Sequence, residues 1–460
     1  MKTRFFKCIL SVSLLINVFY LLGCATAPHS GKESKPIEFE IASAISPVSP
    51  HLPSGVSQEE VQQKTKEFFH YYIGKYMADV PNVSPRQSFL DWIKHERTNP
   101  EVTWVTRNAM TVSEAHGYGM LAIVLGAQMD PSYRDQGRED FDAFVRYFWA
   151  YPSPIDNRLM CWRQMGVGIN SADGSGDLES IINDPQCSNA TDGDMDVAYA
   201  LLLAHDIWGS DGEINYMDEA LRVIDGIRES NVDPNAGILL LGDWAKDNNQ
   251  ILGRTTRSSD FLLGHLRAFA IADEEHAHVW NKVLNETVYI IKYLVANWSE
   301  ETGLLPDFIV RQSRRRYEPA NGKVLESAED GDYNYNACRV PWRLAADYFS
   351  SGDPVILPEM TKMNRWIEKE TGGSVSNISP GYHVRSGRAG APIAGREWSD
   401  LAYSSPFMIS AAVTDEQQRW LGSLWEYHSE PYDWGSYYGE SIQMHSIFVL
   451  AGAWRIPGVE

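Results

Sequence analysis

Cysteine is scarce in this chain, with five residues in 460. None forms a C-x-x-C pair, and Cys161, Cys187 and Cys338 are the only ones beyond residue 24, an odd number that makes neither a disulfide framework nor a zinc site. The three are read as core residues, with a Cys161 to Cys187 bridge left open. Positive charge is also short. Lys and Arg number 40 against 61 Asp and Glu, a formal charge of -21, which excludes a general affinity for nucleic-acid phosphates. Long apolar runs are missing except for "CILSVSLLINVFYLL" near the start, so no transmembrane helix is expected in the mature chain. No β-rich segment rivals the helical ones, no strict repeat demands a solenoid, and no nucleotide or metal motif stands out. "TDGDMD" has the spacing of a calcium loop for a few residues, but Val197 onward supplies no ligands and no Glu closes it. No cofactor, no metal, no nucleic acid and no obligate protein partner is expected.

What is present begins with an export signal. "MKTRFFK" supplies positive charge, the apolar run follows, and "LLGC" ends it, so residues 1–23 read as a signal peptide of the bacterial lipoprotein kind. Processing would leave Cys24 as a lipidated first residue and make a membrane its partner, at the cell surface or in the periplasm. Loss of Lys2, Arg4 and Lys7 leaves 37 basic against 61 acidic side chains, a charge of -24. Residues 24–56, rich in proline and serine with little periodicity, read as a flexible tether. The domain is expected over 57–460, opening with the capping box Ser57 and Glu60.

Hydrophobic periodicity predicts about twelve helices, roughly 57–77, 86–95, 113–128, 136–150, 191–208, 214–229, 258–272, 275–299, 336–350, 357–370, 411–427 and 437–454. They are of two kinds. "DQGREDFDAFVRYFWAY" and "EEHAHVWNKVLNETVYIIKYL" have one apolar and one charged face, as outer helices do. "EAHGYGMLAIVLGA" and "DMDVAYALLLAHDIW" are apolar nearly all round, with polar residues only at the N-terminal end. Alternation of the two kinds predicts an all-α barrel of helical hairpins, the inner N-termini gathered at one mouth.

Two inner helices start with acids. Glu114 opens one, and Asp192, Asp194 and Asp196 open another. First-turn acids favoured by the helix dipole need no catalytic role. Gly117 and Gly119, however, cost stability inside a helix unless something must approach its backbone. Two carboxyls delivered to one cleft are what glycoside hydrolysis requires, one protonated to serve the leaving oxygen and one ionised. The 15 tryptophans suit apolar sugar faces, although most would be core.

"SEAHGYGM", "ATDGDMDVAYALLLAHDIW" and "YNACRVPWRLAADY" together resemble glycoside hydrolase family 8, over most of residues 57–456. The resemblance implies an (α/α)6 barrel and inverting, endo-type cleavage of β-1,4-linked polysaccharide. It makes Glu114 the general acid and Asp192 the carboxylate that holds the sugar at the scissile bond. "LMCWRQ" and "LLLGDWA" match segments that bring subsite aromatics, Trp162 and Trp244, and "SYYGES" offers Tyr438, with Tyr437 as the alternative. Many relatives place an Asp base where this chain has Asn336, and an amide cannot take a proton from water. A branch with chitosanases and β-glucanases shares the Asn and is thought to use a Glu on a preceding loop. That points to Glu326, with Glu329, Asp330 and Asp332 as competitors and Asn336 left to position the water. Arg339, one helical turn on, would keep nearby carboxylates ionised. The resemblance implies β-glucan, cellulose-type or mixed-linkage, as substrate. Chitosan is the nearer alternative, favoured by the negative charge and opposed by the Arg314 to Arg316 run. Xylan follows, and a glycan-binding lipoprotein without a base is the reading outside enzymology.

Overall fold

Ser57 opens the first helix as predicted, its Oγ accepting the N–H of Glu60 at 3.1 Å. In the computed structural model, which describes residues 37–42, 44–100, 106–246, 250–385 and 387–459, twelve α-helices follow one another among the described residues. They are α1 (Gln58–Tyr76), α2 (Ser113–Met129), α3 (Arg134–Ala150), α4 (Thr191–Trp208), α5 (Tyr216–Ser230), α6 (Leu263–Ala272), α7 (Ala277–Asn297), α8 (Val340–Ser351), α9 (Leu357–Glu370), α10 (Leu401–Ala411), α11 (Gln418–His428) and α12 (Tyr437–Leu450). The even-numbered helices are buried on nearly every side, whereas the odd-numbered ones bury one face. Each even-numbered helix touches the next, and α12 returns to α2. The inner ring is therefore closed, and the fold is the expected (α/α)6 barrel. The expected signal segment 1–23 and Cys24 lie outside the described residues.

Glycines set the tightest seam of that ring. A Cβ on Gly117 of α2 would stand 2.7 Å from Asp196 Cβ, and one on Gly193 of α4 would stand 2.6 Å from the Ser113 backbone. The two helices thus meet backbone to backbone at their N-terminal ends, and any side chain there would drive Glu114 and Asp192 apart. Gly119 makes room for the Phe144 ring in the same way.

Three expectations are corrected. Residues 86–95 are not a helix. Ser88–Leu90 pair antiparallel with Met77–Asp79, because so short an apolar run can bury itself as a strand as readily as a helix. The helix expected over 411–427 begins only at Gln418, and a further inner helix, α10, precedes it. Its sequence "LAYSSPFMISA" hides the helix behind Pro406 and serines, but Asp400 caps it through Ala402 N at 2.9 Å and Ser405 Oγ bonds back to Leu401 O. The tether, finally, ends earlier than residue 56. The N–H groups of Ser46, Val48 and His51 donate to the carbonyls of Ser351, Phe349 and Ala412 at 2.8–2.9 Å. Helix C-termini leave such carbonyls without intrahelical partners, and this extended segment satisfies those of α8 and α10.

Short strands also occur where helices were expected to dominate. Two three-stranded antiparallel sheets matter most, one of 109–112, 163–167 and 180–183, the other of 255–257, 308–313 and 316–319. The first runs directly into α2 and follows Trp162. The second carries Arg257 and follows Asp307. The second sheet aims Arg257 at the mouth formed by the inner N-termini, where it meets Asp192.

Candidate active site

Glu114 and Asp192 sit in the first turns of α2 and α4 and converge on one atom. Arg339 Nη1 donates to Glu114 Oε2 at 2.5 Å and to Asp192 Oδ2 at 3.0 Å. Arg339 itself follows Asn336 through the single 3-10 turn that leads into α8. Its Nη2 donates to Asn336 Oδ1 at 2.9 Å, and Asn336 Nδ2 donates to Glu326 Oε2 at 2.8 Å. Five residues singled out in the sequence thus form one hydrogen-bonded chain: Asp192 and Glu114 on Arg339, Arg339 on Asn336, Asn336 on Glu326.

The two carboxyls at the helix starts behave oppositely. Burial pushes Glu114 up to about 7, against the opposing pull of Arg339. Burial would also raise Asp192, but Arg257 and Arg339 outweigh it and hold that carboxyl below its usual range. Arg257 Nη2 reaches Asp192 Oδ1 at 3.1 Å, and its Nη1 stands 3.7 Å from Glu326 Oε1. A carboxylic acid that keeps its proton near neutrality beside one that stays ionised is the pairing that acid catalysis of a glycosidic bond needs. The Glu114 side chain keeps 20% of its surface exposed and that of Glu326 keeps 45%, so both reach solvent in the mouth.

The four loop acids separate cleanly. Glu326 faces Asn336. Asp330 is fully buried, and its carboxylate is occupied by backbone N–H groups of its own loop. Asp332 is held by His383 Nδ1 at 2.9 Å and Val384 N at 3.1 Å. Glu329 shows no side-chain contact to the chain of residues above. Asn336 is narrower in capacity than expected. Its amide hydrogens go to Glu326 and, at 3.2 Å, to Asp307 Oδ2, and its oxygen already accepts from Arg339. Only a remaining lone pair of Oδ1 is left for a water.

Aromatic rings surround this chain. Trp162 O accepts the N–H of Ser113 at 2.9 Å, which places Trp162 beside the start of α2, and Arg163 lies over its ring at 4.5 Å. Trp244 stands in the loop whose Leu241 O meets Thr191 N, the start of α4. Tyr438 lies behind Arg339, 5.9 Å from its guanidinium, with its hydroxyl bonded to Tyr335 O. Tyr437 is core, packed on Tyr76 and Trp92. Cys161 and Cys187 form a disulfide, stapling the segment that follows Trp162. Arg315 and Arg316 turn away onto α7 and their own hairpin, against Tyr289 and Glu318, so they carry no weight on substrate charge.

Sequence reasoning missed Arg257, Asp260, Asp307, Trp398 and Trp434. Arg257 and Asp260 are paired at 3.2 Å, and burial raises Asp260 to about 6 against Arg257. Asp307 is buried and raised to about 7. It accepts the N–H groups of Asn334, Asn336 and Ala337 at 2.7–3.1 Å, fixing the backbone that presents Asn336. No local pattern marks these residues, although Asp307 before an apolar run could have been read as an anchor. Trp398 and Trp434, 50% and 56% exposed, stand on the loops that lead into α10 and α12. They are joined by Ser399 on Tyr427, Tyr427 on Tyr432 and Tyr432 on Trp434.

A six-hairpin helical barrel with a proton-bearing acid, an ionised partner and exposed indoles at its mouth defines a carbohydrate-cleaving hydrolase. The sequence pattern of glycosyl hydrolases family 8 matches residues 103–365. A β-glucanase of Niallia circulans is 41% identical over 347 residues, 75% of this chain and 78% of that protein. An endoglucanase of Bacillus sp. (strain KSM-330) is 31% identical over 408 residues, 88% of this chain and 79% of that protein. The apo structure of a β-1,3-1,4-glucanase from Paenibacillus sp. X4 superposes with a TM-score of 0.74 at 34% identity, covering 90% of this chain and 97% of that one. The chain belongs to glycosyl hydrolases family 8 and is a glycoside hydrolase.

Proposed function

We propose that this protein is an inverting endo-β-glucanase that cuts β-1,4 bonds in mixed-linkage or cellulose-type glucan. The observation that carries the reading is the chain from Glu114 through Arg339 and Asn336 to Glu326. Glu114 gives its proton to the glycosidic oxygen, and Asp192, fixed by two guanidinium groups, holds the sugar at the breaking bond. Glu326 takes a proton from the water that attacks the opposite face of the anomeric carbon. Inversion needs about 6.5–9.5 Å between the two carboxyls to admit that water, and Arg339 and Asn336 stand between them in the hydrogen-bonded chain. Trp162, Trp244, Trp398 and Trp434 serve as platforms for successive sugars. The β-glucanase and β-1,3-1,4-glucanase named above support glucan over chitosan or xylan. A glycan-binding protein without a base loses its rationale once Glu326 has a place beside Asn336.

Export and lipid anchoring at Cys24 complete the proposal. The signal-like first residues support it, as does the Cys161–Cys187 disulfide, which suits an oxidising compartment. No described helix is long and apolar enough to cross a membrane. Labelled palmitate should enter the wild type and not Cys24→Ala.

The activity test is reducing-sugar release from barley β-glucan, carboxymethyl-cellulose, chitosan and xylan by the wild type and Glu326→Gln. Release from the glucans that disappears in the variant supports both substrate and base. Activity confined to chitosan or xylan overturns the substrate, and activity that survives in Glu326→Gln overturns the base. The first product anomer, read by NMR, decides inversion.

A further inference from the structure

The base proposed above sits on a loop, and loops are costly to hold still because each fixed residue gives up backbone entropy. Asp330 supplies the restraint. Its Oδ2 accepts the N–H groups of Val324, Leu325 and Glu326 at 2.7, 2.7 and 3.2 Å, and its Oδ1 accepts that of Ser327 at 2.7 Å. Four consecutive N–H groups therefore converge on one buried carboxylate, in charge-assisted bonds roughly twice as strong as neutral ones. We propose that Asp330 is a positioning residue for catalysis, its carboxylate fixing the turn that aims Glu326 at Asn336.

The anchor of Asp330 makes the arrangement specific. Its carbonyl accepts Phe308 N at 2.8 Å, and Asp332 O accepts Asp307 N at 2.8 Å. Asp307, on that same paired segment, holds Asn336 through the backbone and side-chain bonds already described. Glu326 and Asn336, the two ends of the 2.8 Å contact, are thus hung from one pair of adjacent backbones. A loop that merely closed the surface would need no buried carboxylate at its centre, and the side chain of Glu326 would gain nothing from it. With the carboxylate in place, Glu326 keeps its contact with Asn336 while 45% of its side chain remains open to the mouth.

This inference rests on Glu326 being the base, and the experiment separates the two. Steady-state kinetics on barley β-glucan are measured for the full chain and for Asp330→Ala, Asp330→Asn and Glu326→Ala, each with and without sodium azide. Azide needs no base: its nitrogen bonds to the anomeric carbon as the glycosidic C–O bond breaks and Glu114 gives its proton to the departing oxygen. Displacement of a catalytic group by about 1 Å costs on the order of 100-fold. Asp330→Ala should therefore lose about that much in kcat with KM little changed, and azide should restore part of the rate and yield a glycosyl azide, as in Glu326→Ala. Asp330→Asn, which keeps one acceptor oxygen, should show a smaller loss with the same azide response. It decides the matter should the alanine variant not fold. Wild-type kcat in Asp330→Ala or Asp330→Asn, or a loss that azide does not relieve while Glu326→Ala is relieved, overturns the role of Asp330. Wild-type activity in Glu326→Ala instead overturns the base, whatever Asp330 does.

Discussion

Asn336 donates one amide hydrogen to Glu326 Oε2 at 2.8 Å, and its other goes to the buried Asp307. An amide is the right group for this place, because two carboxyls flank it and both must be given hydrogens. Replacing it by Asp would bring three carboxyls together. Like charges this close force at least one to keep a proton. Asn336→Asp should therefore not restore a second base. It should lower kcat/KM by at least about ten-fold and move the acidic limb of the pH profile upward. A variant as active as the wild type with an unmoved profile would show that Asp307 and Glu326 do not constrain the position.

As the proposed general acid, Glu114 must be protonated to act, and burial raises its carboxyl to about 7. Above that pH the acid loses its proton, so activity should fall as pH rises through it, while the acidic limb belongs to the base. The basic limb of kcat/KM against pH should accordingly bend near 7, and a level profile from pH 6 to 9 would remove Glu114 as the acid. Glu114→Gln should fold with an unchanged circular-dichroism spectrum and lose about 10²–10⁴ in kcat on a glucan.

One turn below the catalytic tier a second buried cluster repeats its pattern. Asp196 accepts from His265 Nε2 at 2.9 Å and from both terminal nitrogens of Arg343, at 2.9 and 2.5 Å. Burial disfavours its charge, yet Arg343 and His265 hold the carboxyl well below its usual range. Asp196→Ala would leave Arg343 charged and unpaired in the barrel interior, which costs about 3–5 kcal/mol. Urea unfolding should record that loss. A change under about 1 kcal/mol would mean that water or a neighbour replaces the carboxylate.

The indoles divide by position. Trp162 stands beside the acid-bearing helix, whereas Trp434 stands on the rim before α12. Trp434→Ala should raise KM on long glucans by about ten-fold, or about 1.4 kcal/mol, and leave short cello-oligosaccharides unaffected. Trp162→Ala should weaken both. Equal effects of Trp434→Ala on long and short substrates would remove it from the outer part of the cleft.

The residues legible in sequence were those whose meaning is local. The inner and outer character of α2, α3, α4 and α7 lay in their hydrophobic periodicity, and the acids at two inner helix starts advertised a common mouth. The motif around Asn336 led to Glu326 only through a family resemblance, since four acids of that loop carry the same local signature. What distinguished them is contact: Asp330 turned inward to its own backbone, Asp332 to His383, and Glu326 to Asn336.

The sequence alone therefore determined the helical hairpins and the carboxyls at the inner N-termini, because each depends on neighbours within a few residues. Only the tertiary structure decided that Arg339 joins Glu114 across 225 residues and Asp192 across 147, that Arg257 and Asp307 complete the cluster, and that residues 46–51 seal the C-terminal ends of α8 and α10. It also decided α10, whose proline and serines suppress helical periodicity until burial and an Asp400 cap supply what propensity does not. Buried charges find their partners by closure of the barrel, and no local pattern records which helix will stand opposite.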